Sequence, residues 1–223
     1  AARRERIAVI GGSEETVAQM VNRAKAVNSE RVVLVGPDIA SDDGGTMSAV
    51  FAAAAVAAVI AGTTAPSGPI NGAELTLFGA AGKRLSDNEI DQLVRGGVTP
   101  IETVGGVSSP VRGITTKTSS GGAADTTWRE LTTILIVDEV IPTIRSALRT
   151  RFARSKNTAQ SRGAIRSQVV LELEEMKSRE IVDSYGEVLV SALKSDPTVC
   201  LVEFSFTVAH GLNRIYLTAH ITV

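Results

Sequence analysis

The sequence predicts an α/β domain followed by a smaller α+β domain that ends in a β-hairpin. Three observations lead there. Short apolar runs, "RIAVI" and "RVVLV", alternate with helix-like segments over the first 120 residues, the pattern of a parallel or mixed sheet covered by helices. A low-complexity stretch, "TSSGGAADTT" at 118–127, then breaks the alternation, and it divides the chain into residues 1–120 and 121–223. The chain closes on "RIYLTAHITV". There Ile215, Leu217, Ala219, Ile221 and Val223 alternate with Arg214, Tyr216, Thr218, His220 and Thr222, the period of a strand with one dry face.

The elements follow in order. "RIAVI" is a buried strand, and "SEETVAQMVNRAKAVN" is a helix with Ser13 placed to cap it. "RVVLV" is a second strand, closed by Gly36-Pro37. The alanine-rich "MSAVFAAAAVAAVIAG" is a helix inside the α/β domain. Its roughly 15 residues reach about 22 Å, short of a bilayer core of about 30 Å. "LTLFGA" reads as a strand after a Gly/Pro/Asn-rich loop. "SDNEIDQLVRGG" is a compact helix, with Ser86 and Glu89 as its capping box and Gly96 as its stop. "VTPIETV" and "VRGITTKT" read as strands.

The second part carries its own core material. Six of the eight aromatics are Trp128, Phe152, Tyr185, Phe204, Phe206 and Tyr216. "LTTILIV" at 131–137 is rich in β-branched residues and reads as a strand. Asp138 then caps a helix, with Pro142 in its first turn. "SRGAIRSQVVLELEEMKSREIV" is another helix, with Ile165, Val169, Leu173 and Met176 on one face. "YGEVLVSAL" fits strand or helix. "VEFSFTV" alternates Val202, Phe204, Phe206 and Val208 with polar residues, and pairs with the terminal strand as the hairpin.

Composition excludes some classes. The 223 residues are 43% hydrophobic and 21% charged, as in an ordinary globular protein. A net charge of −1 supplies no global field for nucleic acid or an anionic membrane. Cys200 is the single cysteine and sits in the apolar run "TVCLVEF"; it reads as a buried small hydrophobe. The chain opens without Met and enters a strand almost at once, which reads as a piece of a longer protein.

The residues offer little chemistry. Gly11-Gly12-Ser13 lies between a strand and a helix, where phosphate sites occur. G-x-G-x-x-G and GK[ST] are both absent, and a tight turn explains the glycines equally well. Asp38, Asp42 and Asp43 lack EF-hand spacing and read as a solvated loop. Asp138 and Glu139 are adjacent, so they cannot oppose one another as a catalytic pair. The only histidines, His210 and His220, fall in the terminal hairpin, so a triad would have to borrow its base from there.

Charge is unevenly placed. Residues 145–166 hold seven bases (Arg145, Arg149, Arg151, Arg154, Lys156, Arg162, Arg166) and no acid, whereas residues 172–187 hold six acids and two bases. These runs are solvated faces, a nucleic-acid patch or complementary patches between copies of the chain.

One stretch, "PSGPINGAELTLFGAAGKRLSDNEIDQLVRGGVTPIETVGG…VRGITTKT", resembles the closing half of the main domain of contractile phage tail sheath proteins. The matching features are Pro66-Ser67-Gly68, the unit at 85–93, Gly97-Val98 and the run Arg112-Gly113-Ile114-Thr115-Thr116. "WRELTTILIVDEVIPTIRSAL", "KN…RGAIRSQVV" and the terminal hairpin are similar to that family's C-terminal domain. The likeness runs roughly over residues 30–223. It implies a partial, subtilisin-like α/β sandwich at 1–120 without protease activity, and an α+β assembly domain at 121–223.

The resemblance further implies a structural subunit with no cofactor. Such subunits stack as hexameric rings around a tail tube and contract to drive it through a target envelope. The implied partners are further copies of the chain, the tail tube protein, and baseplate and tail terminator proteins, with no nucleic acid and no membrane insertion. The implied location is the virion tail, assembled in the bacterial cytoplasm from a phage or prophage gene. Terminal arms that complete a sheet in the next subunit link such copies by β-augmentation. The expected interface residues are Arg214, Tyr216, Thr218, His220, Thr222 and Val223 on the last strand, with Arg149, Arg151, Arg154, Lys156, Glu172 and Glu175 in the charged runs. The alternative is a Rossmann-like nucleotide-binding enzyme that uses Gly11-Gly12-Ser13. A nucleic-acid-binding module using the basic run is a third reading.

Overall fold

A computed structural model describes residues 5–12, 14–40, 45–75, 82, 84–213 and 218–219. The chain forms two compact units, Ala1–Thr64 with Gly68–Ile134 and Gly211–Val223, and Ala65–Ser67 with Leu135–His210.

The first unit is built on the expected alternation. Strand β1 (Ala8–Gly11) leads into helix α1 (Val17–Val27), then β2 (Val32–Gly36), the short strands β3 (Ile39–Ala40) and β4 (Thr46–Met47), and helix α2 (Ala49–Gly62). Helix α3 (Asp87–Arg95), strands β5 (Val98–Val104) and β6 (Val107–Pro110), and the two-residue strands β7 (Ser119–Ser120) and β8 (Ala123–Ala124) follow. The main sheet has the order β1-β2-β5-β6; its first two pairings are parallel and its last antiparallel. Leu34 of β2 packs with Met20 and Ala24 of α1, Leu93 of α3 and Val98 of β5. Val33 and Val35 point to the other face by the strand's alternation, the side covered by the alanine-rich α2. Among the described residues, no helix is long and apolar enough to cross a membrane.

Local chemistry sets the helix ends, with corrections. Helix α1 is capped by Thr16, whose side chain accepts from Gln19 N while Gln19 answers the Thr16 backbone. That capping box starts the helix later than Ser13, a residue outside the described set. Ser86 and Glu89 form the box expected for α3. Gly96 is its C-cap, and the left-handed turn falls one residue on, at Gly97 with φ +83°. "LTLFGA" lies outside the described residues after Leu75.

"VRGITTKT" is not a regular strand. Within it only Ile114 makes a bridge, to Glu130. The Thr99 hydroxyl accepts from Ile114 N and donates to Ile114 O, each at 2.9 Å, and so takes the place of a ladder partner. The stretch at 118–127 contains a small hairpin. It turns on Gly121 and Gly122, both at positive φ, and the Asn28 side chain holds Thr118 and Ser119.

The second unit corrects the sequence reading most. "LTTILIV" is the start of helix α4 (Leu131–Phe152), not a strand. Asp138 and Pro142 are therefore internal to the helix rather than at its start. Pro142 has no N–H to donate to the preceding turn. The four-residue spacing of Ile136, Val140 and Ile144 decides the matter, because all three are buried against the next helix and hairpin. That helical period continues past the β-branched run, so tertiary burial overrides local propensity.

Helix α5 (Ala159–Ser178) is capped by Thr158 and buries Val169, Leu173 and Met176, with Ile165 half-buried. Strands β9 (Val182–Tyr185), β10 (Leu189–Leu193), β11 (Asp196–Glu203) and β12 (Phe206–Val208) complete the unit. β10 pairs with β11 and β12 with β9, both antiparallel. Gly186 N donates to Ser205 O between the two pairings. The four strands are thus one long hairpin with arms 182–193 and 196–208. "YGEVLVSAL" resolves as strand, and "VEFSFTV" divides between β11 and β12.

A two-stranded ribbon is marginal by itself. Val190, Val202, Phe204, Phe206 and Val208 line one side of this one and pack on the cluster that includes Val169, Leu173 and Met176. Leu173 is fully buried there. Leu173→Ala is expected to cost about 2–5 kcal/mol, read as a lower denaturant midpoint.

Candidate subunit interface

The glycine turn at the end of β1 is filled by the protein itself. A Cβ on Gly11 would lie 2.2 Å from the Ala49 carbonyl carbon, and one on Gly12 would lie 2.0 Å from the Glu15 carboxylate. Glycine is needed so that the start of α2 can sit against the strand end. The N-terminus of α2 already has an anion, because Asp38 accepts from Ala49 N at 2.8 Å and also from Glu14 N. Ser48 caps the same helix and donates to Gly12 O at 2.7 Å. The donors a phosphate would use are satisfied by a carboxylate of the chain, which leaves the nucleotide-binding alternative unsupported.

The remaining polar candidates stay dispersed. Among the described residues, no group of three or more His, Cys, Asp or Glu could hold a metal ion. Asp42, Asp43 and His220 lie outside the described residues, and His210 is exposed. Cys200 is half-buried rather than buried, since a two-stranded ribbon covers it only in part.

The two charged runs meet within the second unit. Arg151 donates to the Gln168 side chain, whose Nε2 donates in turn to Glu172 at 2.7 Å. Arg166 lies 3.7 Å from Glu187 and Arg179 3.9 Å from Glu139. These exposed pairs hold little stability, yet they engage some of the charge expected to face other copies. Arg149, Arg154, Lys156 and Glu175 remain exposed at the end of α4, in the following loop and on α5. Thr218 is exposed and belongs to no strand. Arg214, Tyr216, His220, Thr222 and Val223 lie outside the described residues, as does most of the expected terminal strand.

The hairpin supplies the surface that sequence reasoning missed. Leu189, Leu193, Val199 and Leu201 are 51%, 37%, 42% and 40% exposed. Among the described residues, neither β10 nor β11 has a second strand neighbour. The ribbon therefore offers exposed apolar side chains and main-chain edges together. Their alternation with half-buried Val190, Ala192 and Val202 was visible in sequence once this stretch was assigned as strand. Two groups on the hairpin titrate away from their usual values. The Tyr185 hydroxyl is raised by its hydrogen bond to the Glu174 carboxylate. Asp196 is lowered by hydrogen bonds from the Thr198 side chain and backbone.

Comparison with known proteins gives likenesses in sequence and in fold. Residues 123–222 match the phage tail sheath C-terminal domain family. The chain is 29% identical over 223 residues to the tail sheath protein of Bacillus phage SP01, covering 97% of this chain and 38% of that protein. The chain thus spans well under half the length of this curated relative. In fold it is similar to the sheath tail protein of Listeria innocua, with a TM-score of 0.70 and 15% identity over 82% of this chain and 44% of that one. It is also similar to the sheath complex of an extracellular contractile injection system in its contracted state, with a TM-score of 0.68 and 14% identity over 95% and 62% of the two chains. Residues 123–222 thus match a phage tail sheath domain, and the chain as a whole is similar to a phage tail sheath protein in sequence and to sheath proteins in fold.

Proposed function

We propose that this chain forms part of a structural subunit that polymerises as stacked hexameric rings around a tail tube. On triggering, the rings contract and drive the tube through a target cell envelope. Residues 1–120 act as the closing part of the main sheath domain, which the resemblance makes subtilisin-like in topology. Residues 121–223 act as the assembly domain. The partners are further copies of the chain, the tail tube protein, and the baseplate and tail terminator proteins. The site of action is the virion tail, after assembly in the bacterial cytoplasm from a phage or prophage gene.

The observation that carries this reading is the hairpin 182–208. It is packed on α5 through one face, while its edges and exposed leucines can join a strand from another copy. Main-chain hydrogen bonds of that kind link copies while tolerating changes in the angle between them. The terminal strand, with Arg214, Tyr216, Thr218, His220, Thr222 and Val223, is the arm that provides the link. Negative-stain microscopy of the protein expressed at full length is the direct test. Hollow striated tubes formed without nucleotide support the proposal; a stable monomer under all assembly conditions overturns it.

Charge has a secondary part, in steering and register. Arg149, Arg154 and Lys156 of one copy face Glu175 of the next, whereas Arg151 and Glu172 are partly engaged at home. Arg149→Glu combined with Arg154→Glu is expected to raise the subunit concentration needed for tubes by about tenfold at low salt. The difference should shrink as salt screens it. Light scattering across a salt series reads this, and an unchanged threshold argues against the charged contact.

A further inference from the structure

The two edges of the β10–β11 ribbon are not equivalent. Ala192 pairs with Cys200, but the next pair is Leu193 with Asp196. Residues 197–199 therefore bulge out of the ladder, opposite no residue of β10. Their carbonyls still find a donor. Asn157, in the loop between α4 and α5, sends its side-chain Nδ2 to Pro197 O at 2.7 Å and to Val199 O at 3.3 Å. The orientation of that amide is determined by its surroundings. Its oxygen faces Arg162 Nη1 at 3.1 Å, and the same guanidinium nitrogen also donates to Asn157 O at 3.3 Å. Two carbonyls on one side and a cation on the other admit only one flip state. Pro197 adds a second feature, since it has no N–H to offer an incoming strand.

A bulge, a proline and a side-chain donor on the carbonyls are each known ways to blunt a strand edge. Here all three fall on the same residues, 197–199, while β10 carries none of them.

We propose that Asn157 seals the β11 edge of the hairpin against strand addition by a second copy of this chain, and so directs that addition to the β10 side. The proposal rests on the strand-addition reading above and deepens it, because it names which edge is open. The chemistry is one-sided. A strand approaching β11 at 197–199 would have to displace an amide already shared by two carbonyls and held from behind by Arg162. It would gain no N–H from Pro197 in return. On β10 an incoming strand meets regular backbone beside exposed Leu189 and Leu193.

The test uses the protein expressed at full length, with self-association followed by analytical ultracentrifugation and microscopy. Asn157→Ala removes the donor, and Asn157→Lys supplies another that can reach the same carbonyls. Asn157→Ala is expected to form irregular aggregates at a concentration about tenfold below that for the unaltered protein, with its circular dichroism unchanged. Asn157→Lys is expected to behave as the unaltered protein. If Asn157→Ala associates no more readily, or if both variants aggregate alike, the seal is overturned. Failure of Asn157→Ala to fold overturns it too, because a seal is dispensable to the fold. Removal of residues 219–223 separates the two readings. Tubes that survive the removal overturn strand addition itself, whereas lost tubes beside an inert Asn157→Ala overturn only the seal.

Discussion

Removing residues 219–223 from the full-length protein should abolish tube formation while leaving a folded, soluble subunit. The alternation expected at the last residues puts Ile215, Leu217, Ala219, Ile221 and Val223 on one dry face. The partner first expected for it, 202–208, pairs instead with arm 182–193. That partnership gives each arm of the hairpin a mate within residues 182–208, and in the proposed lattice the last residues join another copy. A ladder hydrogen bond adds about 1 kcal/mol net. Losing three or four at each contact weakens association by about 10² or more, and a lattice repeats that loss at every copy. Circular dichroism should remain unchanged while negative-stain fields show no tubes. Ordered tubes from the truncated protein would end the arm reading. An unfolded product would mean instead that the strand belongs to its own subunit's core.

Gly11→Ala should be the most damaging single methyl in the first unit. The added carbon would lie 2.2 Å from Ala49 C, 2.3 Å from Ala49 O and 2.4 Å from Val50 N. All three are backbone atoms of a helix start, so no side-chain rotation relieves the clash. The helix must move, and with it the Asp38 and Ser48 contacts that hold its first turn. Overpacking of this kind costs about 3 kcal/mol or more. Thermal unfolding should show the first unit melting well below its normal midpoint. The same change would discriminate a nucleotide site, where binding would be lost with the midpoint preserved.

Much of the architecture was legible in the sequence because it is locally encoded. The box formed by Ser86 and Glu89 predicted the start of α3, and the spacing of Val169, Leu173 and Met176 predicted the buried face of α5. "RVVLV" announced a buried strand through its apolar residues alone, and its inner place in the sheet came from the fold. The candidate interface was legible only in part. The charged runs were visible, but not that Gln168 ties Arg151 to Glu172 within one copy. Asn157 gave no sign of its role, since its two carbonyl partners lie 40 and 42 residues away.

By itself, the sequence determined the α/β alternation, the Ser86–Glu89 cap that starts α3 and the composition of two cores, because each depends on neighbours within a turn or two. Tertiary structure decided the rest. It made "LTTILIV" a helix, because Ile136, Val140 and Ile144 gain more from burial together than β-branching gains from an extended backbone. It assigned Gly11 to helix packing, because Ala49 lies across it. It turned residues 182–208 into a single hairpin by pairing "VEFSFTV" backward along the chain. An alternating run states which face is dry, but pairing depends on which other edge reaches it first, and that is a property of the folded chain.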